Sequence, residues 1–349
     1  VLWGCANQAG EDNRNVGRMS ALLSGLPMSV PATTINRLCG SSLDAINQAA
    51  RAVWSDDARL LISGGVESMS RAPYSVAKNQ SGTFGNVTAF DTALGWRYPN
   101  PKLEAMFPLE SMGETAENVA EKYSITRADQ DRFALESHQK AVAAQTEGRF
   151  AAEIVPVTLP GAKGGSPVVV ASDEGPRPDT TLERLGTLSP AFRKGGSVTA
   201  GNSSSLNDGA SAVLIGNERS AGSLKASPMA RIVATGVAGL DPRFMGLGPI
   251  PAVMQALGKA HLGVKDIGLW ELNEAFAAQS LAVIRDLGMD PATVNVNGGA
   301  IALGHPLGSS GARIMTTLLH EMRRRGTRYG VATMCIGVGQ GIATIVERV

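Results

Sequence analysis

At 349 residues, with 43% hydrophobic and 18% charged side chains, the chain is long enough for roughly two packed domains and has the composition of an ordinary globular protein. A formal net charge of +1 gives no long-range field for gathering nucleic acid or an anionic membrane, and no apolar run approaches the roughly 20 residues needed to cross a bilayer. Three cysteines argue against a disulfide framework and for a reducing, cytoplasmic setting, while 41 glycines point to close helix–sheet packing and to sites built from backbone.

The opening Val1-Leu-Trp-Gly-Cys5 has neither the basic region nor the apolar stretch of a signal peptide. It also lacks an initiator methionine, so the chain is expected to begin part-way into the natural protein. Residues 29–37 read as a strand, 42–53 as a helix with apolar residues at helical spacing, and 60–64 as a short buried strand. Residues 117–150 are charged and amphipathic and predict one or two surface helices. Between residues 161 and 201 the pattern dissolves into Gly, Pro and charge around a short strand at 168–171, as functional loops do. Regular alternation returns at 210–215, followed by a helix and a strand at 230–236. Helices are predicted over 250–261, 275–287 and 311–325, and strands over 331–335 and 342–347. Strands alternating with helices of this length imply parallel or mixed sheets covered by helices.

Two stretches resemble each other within the chain. Cys39-Gly-Ser-Ser-Leu-Asp-Ala and Gly308-Ser-Ser-Gly-Ala-Arg both open a helix with small residues, and each is followed by an apolar strand and a glycine cluster, Gly64-Gly-Val-Glu-Ser or Gly337-Val-Gly-Gln-Gly. The implied organisation is half, insertion, half.

Chemistry concentrates at the same places. A strand-to-helix turn puts Cys39 at a helix N-terminus, where the macrodipole and free N–H groups favour thiolate, in the manner of a nucleophile elbow. A small buried core cysteine is the alternative for that position. His305 lies between Gly304 and Pro306, outside regular structure, where an imidazole can serve as base toward a thiol and then donate to an oxyanion. His138, His261 and His320 read as solvated or half-buried helix residues. Cys335 closes a strand, and Gly337 beyond it suits a backbone N–H that approaches a ligand closely. Asn273 can be a polar site residue or a helix N-cap, and Glu271 and Glu274 can be cap or surface charges. The cysteines lack metal-ligand spacing, phosphate-cradling Gly-rich loops are absent, and Arg323-Arg-Arg325 reads as a solvated helix end.

Asn36-Arg-Leu-Cys39-Gly-Ser, Gly64-Gly-Val-Glu-Ser-Met-Ser, Asn273-Glu-Ala-Phe, Gly304-His-Pro-Leu-Gly and Cys335-Ile-Gly337 resemble, in order, the signature blocks of the thiolases, and Thr199-Ala-Gly-Asn and Leu206-Asn-Asp-Gly-Ala extend the resemblance over essentially the whole chain. The segments from Gly4 to Asn15 and from Asp91 to Arg97 are similar to the bacterial branch acting on 3-oxoadipyl-CoA in aromatic-compound degradation. The resemblance implies an α/β fold of two pseudo-twofold-related βαβαβαββ halves in an αβαβα sandwich. These would be residues 1–69 with 196–220, and residues 221–349, with 70–195 as an inserted loop domain. It implies that Cys39 is the nucleophile, His305 its base and Cys335 the second acid/base. One oxyanion hole would be His305 with a water held by Asn273, the other the N–H groups of Cys39 and Gly337. Met112 and Phe276 would line a pantetheine tunnel. Coenzyme A is then a co-substrate, no group is bound permanently, no metal is used, and the assembly is a homo-oligomer, a dimer of dimers.

Departures from the family pattern are Ser42 and Ser205 in place of Gly, Ser111 where His is frequent, and Ala234 where a CoA-contacting serine is expected. The family's first strand–helix unit is also expected and missing. Arg71, Arg97 and Lys102 are the candidate cations for a distal carboxylate. A short-chain acetoacetyl-CoA thiolase and a non-catalytic acyl-CoA-binding protein on the same fold are the alternative readings, and a ketoacyl synthase lacks its second histidine.

Overall fold

Short apolar strands joined by helices build two mixed sheets in the computed structural model, which describes residues 1–7, 13–78, 87–161, 164–225 and 227–349. The first half runs β1 (Leu2–Gly4), α1 (Val16–Leu23), β2 (Thr33–Ile35), α2 (Ser41–Trp54) and β3 (Leu60–Ser68). A long excursion follows: β4 (Tyr74–Val76), β5 (Ala89–Asp91), α3 (Pro101–Met106), α4 (Met112–Lys122), α5 (Arg127–Thr146), β6 (Val157–Leu159), β7 (Val168–Val170) and α6 (Leu182–Gly186). The chain then returns through β8 (Asp208–Gly216) and α7 (Glu218–Leu224). The second half is β9 (Ala230–Gly239), α8 (Pro249–Ala260), β10 (Leu269–Leu272), α9 (Ala277–Leu287), α10 (Ala300–Leu303), α11 (Leu307–Arg325), β11 (Tyr329–Ile336) and β12 (Gln340–Arg348).

The sheet orders are β2-β1-β3-β8 and β10-β11-β12-β9, and Val294 adds a parallel bridge outside β10. β1 lies parallel between β2 and β3, as β10 does between Val294 and β11. β3 and β11 each continue into an antiparallel neighbour, β8 or β12. The two sheets therefore share one plan, in which α2 and α11 occupy equivalent crossovers. β12 carries β9 on its far side, whereas the far edge of β8 pairs with no strand among the described residues. Both central helices touch both sheets, α1 covers the outside of the first, and α8 and α9 cover the outside of the second. The result is a five-layer αβαβα sandwich.

The middle layer needs close backbone approach. A Cβ at Gly311 of α11 would stand 2.4 Å from the Leu43 nitrogen of α2, so only glycine lets these helices touch there. Around that crossing Leu43, Ile46, Ile314, Leu318, Ile336 and Ile342 are fully buried. Each contributes on the order of 2 kcal/mol by leaving water.

Several expectations are corrected. The strand read over 29–37 shrinks to three residues, because Pro31 has no N–H for a ladder and Asn36 turns back to accept from the Leu38 N–H (2.9 Å). The strand read over 60–64 runs on to Ser68, paired over nine residues with β8. The charged stretch 117–150 does form two helices, but they are not surface helices. Val119, Gln130, Ala134, Ala141 and Ala144 are fully buried, and the buried Glu117 carboxylate accepts from the Ser197 and Val198 N–H groups (2.9 and 2.8 Å). His138 is also buried, its Nδ1 accepting from the Arg177 N–H at 3.1 Å. Residues 8–12, in the middle of the motif from Gly4 to Asn15, lie outside the described residues.

Candidate active site

Leu38 takes a left-handed conformation (φ 47°), which bends the chain sharply between β2 and α2 and leaves Cys39 on the outside of the bend. Ser41 fastens the turn, its hydroxyl donating to the Leu38 carbonyl (2.6 Å) and accepting from the Arg37 N–H (2.9 Å). The N–H groups of Gly337 and of Cys39 itself point at the Cys39 sulfur. They do not make it a thiolate. Burial dominates, the Glu67 charge adds to it, and the thiol is pushed up to about 11. The expectation that the helix terminus holds a thiolate is corrected on this point: the resting group is a thiol that needs a base.

The candidate base, His305, is held at the equivalent point of the other half, just before α11. Gly304 has φ 92°, and any side chain there would strike the Asn207 amide at 2.3 Å. The His305 N–H is held by the Ser205 carbonyl and Asn207 Oδ1, both at 3.3 Å. Ser310 Oγ lies 2.6 Å from Nδ1 of His305 and donates its one proton to the Pro306 carbonyl (2.9 Å). With that proton so placed it accepts from Nδ1–H, which makes Nε2 the unprotonated, acceptor nitrogen of the ring. Burial, assisted by the Arg313 charge, pulls the imidazole down to about 3, so it is neutral at physiological pH.

Asn273 follows β10, is fully buried, and aims Nδ2 at His305 Nε2 (3.4 Å). Its Oδ1 is buried with no hydrogen-bond partner among the described residues, an exposed valence inside the site. It is not a helix N-cap, since Phe276 holds that position for α9. Glu271 and Glu274 are buried, not surface or cap charges. Cys335 lies one residue from the end of β11 and is buried. Its thiol is pushed far above the usual range by burial and by the nearby Cys39 sulfur. A Cβ on Gly337 would project between Leu38 and Met112, meeting Leu38 Cδ1 at 3.3 Å and Met112 Sδ at 3.4 Å.

Met112 and Phe276 share one apolar cluster with Cys335, together with Ala116, Val198 and Met245. Phe192 stands edge-on to Phe276 at 6.1 Å. Ala234 is not in this group. It is buried within β9 against α8 and belongs to the outer core of the second sheet. Ser203, Ser204 and Ser205 lie beside the site instead: Ser203 bridges to Phe276, Ser204 bonds to the Ala275 carbonyl by both N–H (3.0 Å) and hydroxyl (3.1 Å), and Ser205 holds His305. Ser42 is turned away, accepting from the Ala312 N–H (2.9 Å), and Ser111 caps α4.

Other organising residues escaped the sequence reading. Glu67 gathers the N–H groups of Ala6, Asn7 and Gly308 at 2.8–3.1 Å. Asn295, itself left-handed, clamps Leu272 and donates to Glu274 (2.8 Å). Ser310 sits five residues after His305 in a run legible only as small residues opening a helix.

Behind Asn273 lies a group of acids around Arg313. Burial pushes Glu271 up to about 8 and Glu153 up to about 7, with Arg313 opposing both. Each folded value exceeds the ordinary one of 4.5, so the folded state keeps protons that the unfolded state has lost. Their contribution to stability is complete below pH 4.5 and is lost as pH rises to about 8. The depressed His305 acts oppositely, but only below its ordinary value of 6.5. Denaturant midpoints from pH 6.5 to 8.5 should therefore fall more steeply for the wild type than for Glu271→Gln. Parallel slopes would show that Glu271 does not carry the shift.

The geometry now stands beside that of known proteins. Family models of the thiolase N-terminal domain and the thiolase C-terminal domain match residues 1–219 and 226–348. The chain belongs to the thiolase family. This thiolase is 58% identical to a β-ketoadipyl-CoA thiolase of Acinetobacter baylyi and 56% identical to a 3-oxoadipyl-CoA/3-oxo-5,6-dehydrosuberyl-CoA thiolase of Escherichia coli. Each match covers all of this chain and 87% of the relative. It is 50% identical to an acetyl-CoA acetyltransferase of Thiocystis violacea over 96% of this chain and 84% of the relative. Human mitochondrial 3-ketoacyl-CoA thiolase superposes on it with a TM-score of 0.93 at 44% identity, covering 100% of this chain and 87% of that one.

Proposed function

We propose that the chain cleaves 3-oxoadipyl-CoA with coenzyme A, giving succinyl-CoA and acetyl-CoA by covalent catalysis on Cys39. The observation that carries the chemistry is the Cys39 sulfur, on which two N–H groups converge and which acts on the buried Cys335 thiol; the neutral His305, whose Nε2 faces Asn273, supports the same reading. The dicarboxylic substrate is supported by relatives of 56–58% identity named for it.

His305 Nε2 takes the Cys39 proton, and the thiolate attacks the 3-keto carbon. An oxyanion on a carbon bonded to Cys39 falls within reach of the Cys39 and Gly337 N–H groups, each worth about 3–4 kcal/mol in such a role. Breaking the C2–C3 bond leaves its electron pair on the acetyl-CoA enolate. The enolate oxygen is received by protonated His305 and a water held by the open Asn273 Oδ1, and Cys335 protonates C2. After acetyl-CoA leaves, the Cys335 thiolate takes the proton of incoming coenzyme A. The coenzyme A sulfur attacks the thioester, the bond to Cys39 breaks, and His305 returns its proton to Cys39. Met112 and Phe276 flank the pantetheine arm. We take residues 1–69 with 196–220 and residues 221–349 as the two halves, 70–195 as the insertion, and the active form as a cytoplasmic homo-oligomer. No helix among the described residues is long and apolar enough to cross a membrane.

The 50% identity to an acetyl-CoA acetyltransferase favours a second reading, a short-chain acetoacetyl-CoA thiolase. Thiolysis rates decide between them. The expected result is a kcat/KM at least about tenfold higher on 3-oxoadipyl-CoA than on acetoacetyl-CoA, or about 1.4 kcal/mol. The opposite ratio selects the short-chain enzyme, and coenzyme A binding without turnover of either substrate selects a binding protein.

A further inference from the structure

Arginines in this chain that are partly withdrawn from water generally face acids: Arg37 faces Asp44, Arg127 faces Asp131, Arg193 faces Glu114 and Arg313 faces Glu271. Arg18 and Arg97 do not: Arg18 donates to the Val30 and Met28 carbonyls in the loop after α1. Arg97 is half-buried, and among the described residues its guanidinium donates to neutral oxygens, the Thr92 carbonyl (3.2 Å) and Asn7 Oδ1 (3.4 Å). Among the described residues no carboxylate lies within ion-pair distance of it. A guanidinium held this way is oriented without being neutralised, and its fork remains available to an incoming carboxylate.

Its position is fixed from two sides of the site. On one side Asn7 donates its side-chain amide to Thr92 (3.0 Å to Oγ1, 3.2 Å to the carbonyl) and its backbone N–H to Glu67 Oε1 (3.1 Å), and the Glu67 charge acts on the Cys39 thiol. On the other side Trp96 Nε1 donates to the Glu110 carbonyl (3.0 Å), immediately before Ser111 and Met112, and Met112 Sδ faces Gly337. The turn 92–97 thus bridges the nucleophile side and the Met112 side of the site. The alternatives fit less well: Lys102 is exposed on α3, and Arg71 is exposed and already engaged.

We propose that Arg97 receives the distal carboxylate of the acyl chain, with Asn7 and Thr92 as the residues that position it. In a 3-oxoadipyl chain that carboxyl carbon lies three bonds of about 1.5 Å beyond the ketone attacked by Cys39, so the assignment requires a subsite close to the nucleophile, the side to which the Asn7–Glu67 contact ties the turn. The assignment rests on the dicarboxylic reading above and adds the group that would select it.

The test compares 3-oxoadipyl-CoA with 3-oxohexanoyl-CoA, which has the same carbon chain with a methyl in place of the carboxylate. Arg97→Gln should lower kcat/KM on 3-oxoadipyl-CoA about 100-fold, as loss of a charge-assisted pair does, and leave the rate on 3-oxohexanoyl-CoA within about threefold. Arg97→Lys, which keeps the charge but loses the fork, should fall about tenfold on the dicarboxylate alone, and it serves if the glutamine variant does not fold. An equal loss on both substrates would assign Arg97 to holding the turn and overturn the proposal, as would unchanged rates on both. A wild type that does not prefer 3-oxoadipyl-CoA over 3-oxohexanoyl-CoA sinks the dicarboxylic reading itself. Preference in the wild type that survives Arg97→Gln sinks only the Arg97 assignment.

Discussion

Cys39→Ala should fold normally and lose thiolysis by roughly 10,000-fold or more, the scale on which enzymes lose turnover with their nucleophile. The side chain is small and lies just before α2, so its removal leaves a minor gap. What disappears is the sulfur on which the Gly337 and Cys39 N–H groups converge. Intact-protein mass after mixing with 3-oxoadipyl-CoA and no coenzyme A reads this directly. The wild type should gain one succinyl group and Cys39→Ala should gain none. An undiminished rate in the variant would remove the covalent mechanism altogether.

Cys335→Ala separates the two thiols. Its sulfur is the more deeply suppressed, held protonated by burial and by the sulfur beside it, as suits a group that gives a proton to carbon and then takes one from coenzyme A. Turnover should fall by about 100- to 10,000-fold, the range for a lost general acid–base. Alkylation of Cys39 by iodoacetamide should persist at a comparable rate, because His305, Ser310 and the two N–H groups are untouched. Retained turnover would refute the acid–base role. Loss of Cys39 labelling would mean that Cys335 supports the nucleophile rather than the substrate.

The candidate reactive residues were legible because each breaks a local rule. Cys39 stands at a strand-to-helix bend, His305 between a left-handed glycine and a proline, and Cys335 two residues before a glycine on a strand end. Residues that only support them leave no such trace. Ser310 decides which imidazole nitrogen is free, yet in sequence it is one small residue among several. Glu67 and Asn295 act through contacts between elements far apart in the chain, 241 residues in the case of Glu67 and Gly308. The thiolate expected at Cys39 failed for a physical reason: burial outweighs a helix terminus when the thiol lies under a second half of the fold. Ala234 packs in the core of the second sheet with α8, and Ser203 bridges to Phe276, relations that a linear motif does not display.

The repeated plan of the two sheets divides the chemical groups between the repeats. The Cys39 sulfur stands at the head of α2, and the His305 imidazole, the Asn273 amide and the Cys335 thiol all come from the other repeat. The seam between them is closed by the bare glycine of α11 against Leu43. Neither repeat holds the whole set of groups alone, and a single methyl group at residue 311 would press on the Leu43 backbone along the line where the two halves join.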